Sequence, residues 1–156
     1  MRLADGAGRL LRMDAERMRE YLLGMPDVIE ATQWGNLIYW VGPQVVGGKM
    51  FAMLDPDMSH GLVMSFPAGE EHFQELAELE GVVPAPYMAR IFWVGVERWE
   101  SFKNAEWEAE LRASYELTRA RLPAMAKKVL AMPKVEQKKA VAERKRVLAE
   151  RDAAKN

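Results

Sequence analysis

The chain has 156 residues, 49% of them hydrophobic, which predicts one folded domain with a true core. It contains no cysteine and only two histidines, which excludes disulfide scaffolds, thiol nucleophiles, iron–sulfur clusters and cysteine-based zinc sites. Its 22 Lys and Arg residues nearly balance 23 Asp and Glu residues, so the net charge of −1 by itself indicates no partner.

The sequence favours a cytoplasmic protein with no membrane partner. Residues 1–13 carry several charges and no apolar run, so we expect a flexible leader there rather than a secretory signal. The longest strongly apolar run, at residues 91–96, is far shorter than the about 20 residues that span a bilayer.

The first predicted element is a helix over residues 14–24. Asp14 is a favourable N-cap, because its short carboxylate can accept from the first backbone N–H groups. Apolar side chains then recur at three- and four-residue spacing, until Gly24 and Pro26 end the helix.

From residue 28 the pattern changes to short runs rich in β-branched and aromatic residues, which predict strands. Short turn sequences separate these runs, so the strands are expected to be antiparallel neighbours in a meander. The Gly47-Gly48 pair predicts either a bulge or a strand that begins only at Lys49. The four predicted strands are Val28–Gln33, Leu37–Val41, Val45–Leu54 and Leu62–Phe66.

The second half of the chain is predicted to add a helix, a strand and a helix. Glu70–Leu79 has the spacing of an amphipathic helix, and two prolines keep Val82–Tyr87 in an extended crossing. Ile91–Arg98 is the last predicted strand, and Asn104–Leu122 is a third helix that Pro123 ends. The order α-β-β-β-β-α-β-α predicts an α+β fold, a two-layer sandwich of about five antiparallel strands with helices on one face.

The near-neutral total charge hides a strong asymmetry. Residues 1–123 hold 12 basic and 19 acidic side chains, whereas residues 124–156 hold 10 basic and four acidic ones. The second segment has too few apolar residues for a core, so we expect an exposed helix or a helix-prone disordered tail. The predicted organisation is a leader at 1–13, an α+β domain at 14–123 and a basic tail at 124–156.

Two loops resemble known binding motifs but lack essential parts. In the segment 42–50, Pro43 and Met50 occupy the positions where a phosphate-binding loop needs Gly and Ser or Thr. In the segment that begins at Asp55, His60 stands where a calcium loop needs Gly. We therefore interpret both segments as turns between strands.

The remaining candidates for chemistry are also weak. His72 could exchange a proton near neutral pH, but no Ser or Cys nucleophile stands beside it in the sequence. The methionines are interpreted as core filler, and a Met-lined binding surface is the less favoured alternative. The sequence therefore predicts no catalytic residue, no metal site and no cofactor. The methionines that lie in apolar runs are Met50, Met53, Met64 and Met88.

Six short motifs carry a resemblance to a known family. They are Tyr21-Leu22-Leu23-Gly24-Met25-Pro26, Gly48-Lys49-Met50-Phe51-Ala52-Met53-Leu54, Gly81-Val82-Val83-Pro84-Ala85-Pro86-Tyr87-Met88, Trp93-Val94, Ser114-Tyr115-Glu116-Leu117 and Leu122-Pro123. In order and spacing they resemble the MmcQ/YjbR family of small bacterial proteins over about residues 14–123. The resemblance implies a sandwich similar to the frataxin-like and secretion-chaperone-like folds, and DNA binding through a double-wing sheet surface.

We expect a non-enzymatic binding protein with DNA as its leading partner. The basic tail would contact phosphates, which adds affinity that does not depend on base sequence. Basic residues of the acidic body would add to this surface. The candidate DNA-binding residues are Lys49, Arg90, Arg98 and Lys103 in the body and Lys138, Lys139, Arg144, Lys145 and Arg146 in the tail.

The alternative is a protein-interaction or small-ligand-binding module that uses the exposed face of the sheet, with the tail docked on a protein partner. Its candidate residues are the aromatic side chains Trp34, Tyr39, Trp40 and Tyr87. Rings that point inward would belong to the core, and an outward cluster would mark a binding site.

Overall fold

The computed structural model describes residues 12–155, so most of the predicted leader, residues 1–11, lies outside the described residues. The chain has the predicted α+β fold, with one antiparallel sheet. The helices are α1 (Ala15–Leu23), α2 (Glu70–Ala77), α3 (Asn104–Ala120), α4 (Ala124–Leu130) and α5 (Lys134–Lys155). The strands are β1 (Val28–Gln33), β2 (Asn36–Val41), β3 (Lys49–Leu54), β4 (Met64–Pro67), β5 (Val82–Pro84) and β6 (Trp93–Val96).

The sheet has six strands in the order β1-β2-β3-β4-β6-β5, and the first four form the predicted meander. The additional strand is β5, which the sequence suggested only as an extended crossing. It pairs with β6 alone, so it is an edge strand, and its last residue is Pro84. A proline is compatible with this position because one side of an edge strand makes no ladder hydrogen bonds.

Two predicted strands are shorter than expected because 3₁₀ turns occupy their beginnings. A 3₁₀ helix at Gln44–Val46 precedes β3, which begins at Lys49 as the later of the two predicted starts. Another 3₁₀ helix at Ala89–Ile91 ends at Phe92, whose left-handed backbone (φ 64°) breaks the chain before β6.

The core lies between one face of the sheet and α3. One face of α3 is buried against the sheet, and its side chains include Trp107, Leu111 and Tyr115. The Ser114 hydroxyl donates a 2.7 Å hydrogen bond to the Phe51 carbonyl oxygen, which joins α3 to β3. At the start of the fold, the Asp14 carboxylate caps α1 by accepting from the Arg17 backbone N–H at 2.9 Å.

The packed body reaches beyond the boundaries expected from the sequence. Met13, before the predicted domain, is buried in the core, and so is Ala126, which follows it. Helix α4 therefore packs as part of the body, because Val129 on its inner side is buried too.

The tail beyond residue 133 is helical, one of the two forms expected, and it lies against the body. Helix α5 contacts the 3₁₀ helix at Gln44–Val46, where the Arg144 Nε donates to the Val45 carbonyl oxygen at 3.3 Å. Lys134 at its beginning pairs with Asp27 at 3.3 Å. No helix in residues 12–155 combines the length and apolar character needed to cross a bilayer.

Candidate functional site

The two faces of the sheet carry different kinds of residues. The face toward α3 presents Tyr39 and Phe51 to the core. The register places Trp40 opposite Met50 on the other face. The same face continues through Met53, which lies opposite Ser65 on β4. This second face carries the candidate site.

A groove of about 630 Å³ lies on that face, between the β1–β2 hairpin, the loop from β3 to β4 and the segment that follows β5. Its lining is mostly apolar and contains no Lys or Arg. The lining residues are Trp34, Asn36, Met50, Met53, Asp55, His60, Leu62, Val63, Met64, Ser65, Ala85, Pro86, Tyr87 and Met88.

A β-bulge brings two of the methionines to the groove floor. Tyr39 pairs with Ala52 and Trp40 with Met50, so Phe51 has no partner in the register. Residues three apart in a regular strand point to opposite faces, whereas one extra residue returns Met50 and Met53 to the same face. Both are half-buried there and neither belongs to the core, contrary to their interpretation as core filler.

Two large aromatic side chains lie at the rim of the groove. Trp34 is 70% exposed and Tyr87 is 100% exposed. Both have left-handed backbone conformations, with φ of 55° and 66°, which are unfavourable for bulky residues. Strain of this kind persists where the surrounding structure enforces it, and it concentrates at binding and catalytic sites.

The polar end of the groove is built around Asp55, which is 6% exposed. Its carboxylate accepts hydrogen bonds from the Ser59 hydroxyl at 3.0 Å and the Asp57 backbone N–H at 3.1 Å, and the His60 Nδ1 lies 3.1 Å from it. Burial by itself would raise the pKa of Asp55, but the hydrogen bonds from Ser59, His60 and Asp57 outweigh it and lower the pKa. Asp55 is therefore an ionised acceptor that orients the His60 ring.

This cluster lacks the geometry of a catalytic triad. The Ser59 hydroxyl and the Asp55 carboxylate both face the same ring nitrogen, Nδ1 of His60, at 3.3 and 3.1 Å. A nucleophile and an orienting carboxylate must engage the two different nitrogens of the ring. Within residues 12–155, no group of three or more acidic or histidine side chains is placed to hold a metal ion.

The other histidine, His72, joins two helices. Its Nδ1 lies 2.8 Å from Glu75 on α2, and its Nε2 lies 3.1 Å from Glu110 on α3. Burial alone would lower the pKa of His72, but the carboxylates of Glu110 and Glu75 outweigh it and raise the pKa. Both ring nitrogens are thus occupied: the Glu75 contact lies within α2, and the Glu110 contact joins α2 to α3.

The predicted DNA-binding residues of the body lie in different parts of the fold. Lys49 begins β3 directly after the 3₁₀ helix on which α5 packs, so it lies at the tail's end of the sheet. Lys103 precedes α3, which has 17 residues, so Lys103 lies about 24 Å from the far end of that helix. Arg98 reaches over Gly81, and Arg90 lies in the 3₁₀ helix before β6.

The five predicted residues of the tail fall into two groups. Arg144 is half-buried on the body, and Arg146 forms ion pairs with Glu143 and Glu150 on its own helix. The other three are exposed and make no ion pair within the described part of the chain. These three are Lys138, Lys139 and Lys145.

The four aromatic residues predicted for a protein- or ligand-binding surface also lie in different environments. Tyr39 is fully buried, and its hydroxyl donates to the Glu30 carboxylate at 2.6 Å. Burial, followed by that hydrogen bond, raises the pKa of Tyr39 far above its ordinary range. Trp40 is half-buried, whereas Trp34 and Tyr87 point outward at the groove.

Comparisons with known proteins place the fold. A family model described as YjbR matches residues 23–117. A crystal structure of the Deinococcus radiodurans protein DR2400, with a domain of the family DUF419, is similar with a TM-score of 0.66 and 20% sequence identity, over 79% of this chain and 91% of that one. No curated protein matches this chain.

Proposed function

This chain belongs to the YjbR family, and on that premise we propose that it is a cytoplasmic binding protein, rather than an enzyme, whose apolar ligand occupies the groove on the exposed face of the sheet. The proposal rests on Trp34 and Tyr87, the two aromatic residues at the rim of the groove. Two large aromatic side chains are held in strained conformations beside an apolar groove, although neither of them contributes to the core. Large aromatic side chains that the fold exposes beside an apolar groove are available to contact a ligand.

The size and chemistry of the groove support this proposal. Its volume of about 630 Å³ lies within the range of roughly 300–1,000 Å³ that is common for small-molecule sites. Met50, Met53 and Met88 contribute unbranched, polarisable side chains that adapt to different shapes. Ser59 and Asp55 both face Nδ1 of His60, so the cluster lacks the geometry of a catalytic triad. For this reason we propose binding rather than catalysis.

We expect Met53→Glu to weaken binding of an apolar ligand at least about tenfold, because a carboxylate on the groove floor would have to lose its hydration when the ligand binds. Nile red, an uncharged dye that fluoresces in apolar sites, measures this by titration. The matched control is Met125→Glu on α4, since Met125 is 45% exposed and does not line the groove. Equal dye affinity in both variants and the unmodified protein would contradict the proposed site.

DNA binding by α5 is a second candidate, favoured by the three exposed lysines of that helix. Lys138 and Lys145 are seven residues apart, so they project from the same side of the helix, and Lys139 stands beside them. Lysines placed in this way could contact the phosphates of a duplex without reading its sequence. The groove on the exposed sheet face contains no Lys or Arg, so this proposal uses the helix rather than a double wing.

We expect the triple variant Lys138→Gln, Lys139→Gln, Lys145→Gln to lose salt-dependent duplex binding. Removal of three phosphate contacts should reduce the slope of log K against log salt concentration by about 2.7. Fluorescence anisotropy with a labelled duplex at several salt concentrations measures this slope.

The matched control removes the same charge from the body, with Arg90→Gln, Arg98→Gln and Lys103→Gln. An equal loss in both triple variants would assign the binding to net charge rather than to α5. If neither variant binds duplex less well than the unmodified protein, α5 is not a DNA-binding element. Selective capture of an acidic protein by α5, without DNA binding, would instead make the tail a protein-docking helix.

A further inference from the structure

We propose that the groove takes a small molecule with an apolar body and one uncharged hydrogen-bond donor, such as a hydroxyl group, and that it disfavours acids. This inference rests on the proposed function and adds the chemical class of the ligand. Three features of the groove lead to it: the position of its strands, the orientation of the His60 ring and the charge of its lining.

The position of the groove favours a small molecule over an extended peptide. Met50 and Met53 lie on β3, and Ser65 lies on β4, and both strands are paired on both sides. A peptide that binds by strand addition needs an unpaired sheet edge, which the floor of this groove does not offer. Leu62 closes part of the floor, because its side chain packs over Gly95, where any Cβ would collide with it. The remaining space suits a compact molecule beneath Trp34 and Tyr87.

The orientation of His60 defines the polar group that the ligand must carry. The carboxylate of Asp55 faces Nδ1 at 3.1 Å, so the proton of the neutral ring resides on Nδ1. Nε2 of the same ring then presents a lone pair, and the structure places no partner on it within residues 12–155. A ligand hydroxyl can donate to this nitrogen, whereas a carboxylate has no proton to give.

The charge of the groove lining also favours an uncharged ligand over an acid. The groove contains the ionised Asp55 and no Lys or Arg, so an acidic ligand would meet a like charge without a compensating cation. Within a groove that is mostly apolar, water screens this repulsion less than it does on an open surface. Phosphate and carboxylate groups should therefore bind weakly at this site, which also separates it from any DNA-binding surface on α5.

The test uses three ligands that share one ring: ethylbenzene, 2-phenylethanol and phenylacetate. The protein is labelled with ¹³C at its methionine methyl groups. Signals of Met50, Met53 and Met88, assigned by single Met→Leu variants, should shift on titration, whereas Met18, buried on the other side of the sheet, should not. We expect the alcohol to bind about 3- to 10-fold more tightly than ethylbenzene, the gain of one hydrogen bond, and phenylacetate to bind most weakly.

The variant His60→Phe removes the acceptor but keeps a ring at the same place. It should remove the 3- to 10-fold preference for the alcohol, measured as the ratio of the affinities of the alcohol and ethylbenzene for the same variant. His60→Gln, which restores an acceptor oxygen, should recover part of the preference. If the alcohol and the hydrocarbon bind equally to the unmodified protein, or if the acid binds best, the inference about the ligand is overturned while the groove remains a binding site. If no compound shifts the groove methionines, the proposed function itself fails.

Discussion

Gly48→Ala is expected to lower the free energy of unfolding by about 3 kcal/mol, the upper end of the cost of an added methyl group. An alanine Cβ would overlap the carbonyl oxygen and carbon of Gly42 and would lie 2.8 Å from the carbonyl oxygen of Pro43. All three are backbone atoms, so no side-chain rotation can relieve the overlap. Urea denaturation monitored by tryptophan fluorescence measures the change.

Gly24→Ala is the matched control, because it adds the same methyl group at the end of α1. Its nearest neighbours would be the Glu20 and Tyr21 carbonyl oxygens at 3.4 and 3.5 Å, which is ordinary contact. We expect a change within about 0.5 kcal/mol. Equal costs at the two positions would contradict the packing of Gly42 against Gly48.

The effect of Gly48→Ala should extend to the tail. Gly48 joins the 3₁₀ helix at Gln44–Val46 to β3, and both α4 and α5 pack on that 3₁₀ helix. Displacement of this segment would therefore weaken the docking of α5 as well as the start of β3. In this protein the glycine pair that resembles a phosphate loop serves instead to bring two backbone segments together.

The fold could largely be predicted from the sequence because its main elements repeat at regular periods. The buried side of α3, with Trp107 and Leu111, follows directly from helical spacing. The turns between the first four strands are equally visible, since they contain Gly, Pro, Asn and Asp. Edge strand β5 was not predicted because Pro84 is a strong signal against strands, and the sequence does not reveal that this strand lies at an edge.

The groove could be predicted only in fragments. The sequence marks Trp34 and Tyr87 as candidates for a binding surface. It predicts a turn between strands for the segment that holds Asp55 and His60, because His60 stands where a calcium loop needs Gly. Contacts between distant segments bring these residues together, and no local pattern encodes such contacts. The bulge at Phe51 also reverses the expected direction of Met50 relative to Met53, and a bulge leaves no reliable mark in the sequence.

The basic charge of the tail can be read from the sequence. Which of its basic side chains are free to contact a partner cannot. Arg146 has two carboxylate partners because Glu143 and Glu150 stand three and four residues away on the same helix. Such spacing could have been recognised in the sequence. The contact of Arg144 with Val45 joins residues 99 positions apart, and only the folded structure shows it.

Trp107→Ala is expected to lower the free energy of unfolding by about 3–5 kcal/mol, the usual cost of removing a buried aromatic side chain. Trp107 is 0% exposed, and its ring contacts those of Trp99 and Phe102 at centroid distances of 5.1 and 4.9 Å. Its Nε1 also donates to the Trp99 carbonyl oxygen at 2.9 Å, and this acceptor would lose its partner. Thermal unfolding should show a fall in Tm of roughly 10 °C or more.

Trp34→Ala is the matched substitution, and we expect the opposite pattern from it. Because the Trp34 side chain is 70% exposed and absent from the core, its loss should change the free energy of unfolding by no more than about 0.5 kcal/mol. The same variant should bind Nile red and 2-phenylethanol several-fold more weakly, since the aromatic contact at one side of the rim is lost. A destabilisation comparable to that of Trp107→Ala would make Trp34 a structural residue and would remove the main support for a binding site at the groove. Binding lost without stability lost would separate the aromatic residues that hold this fold together from those that it presents to a ligand.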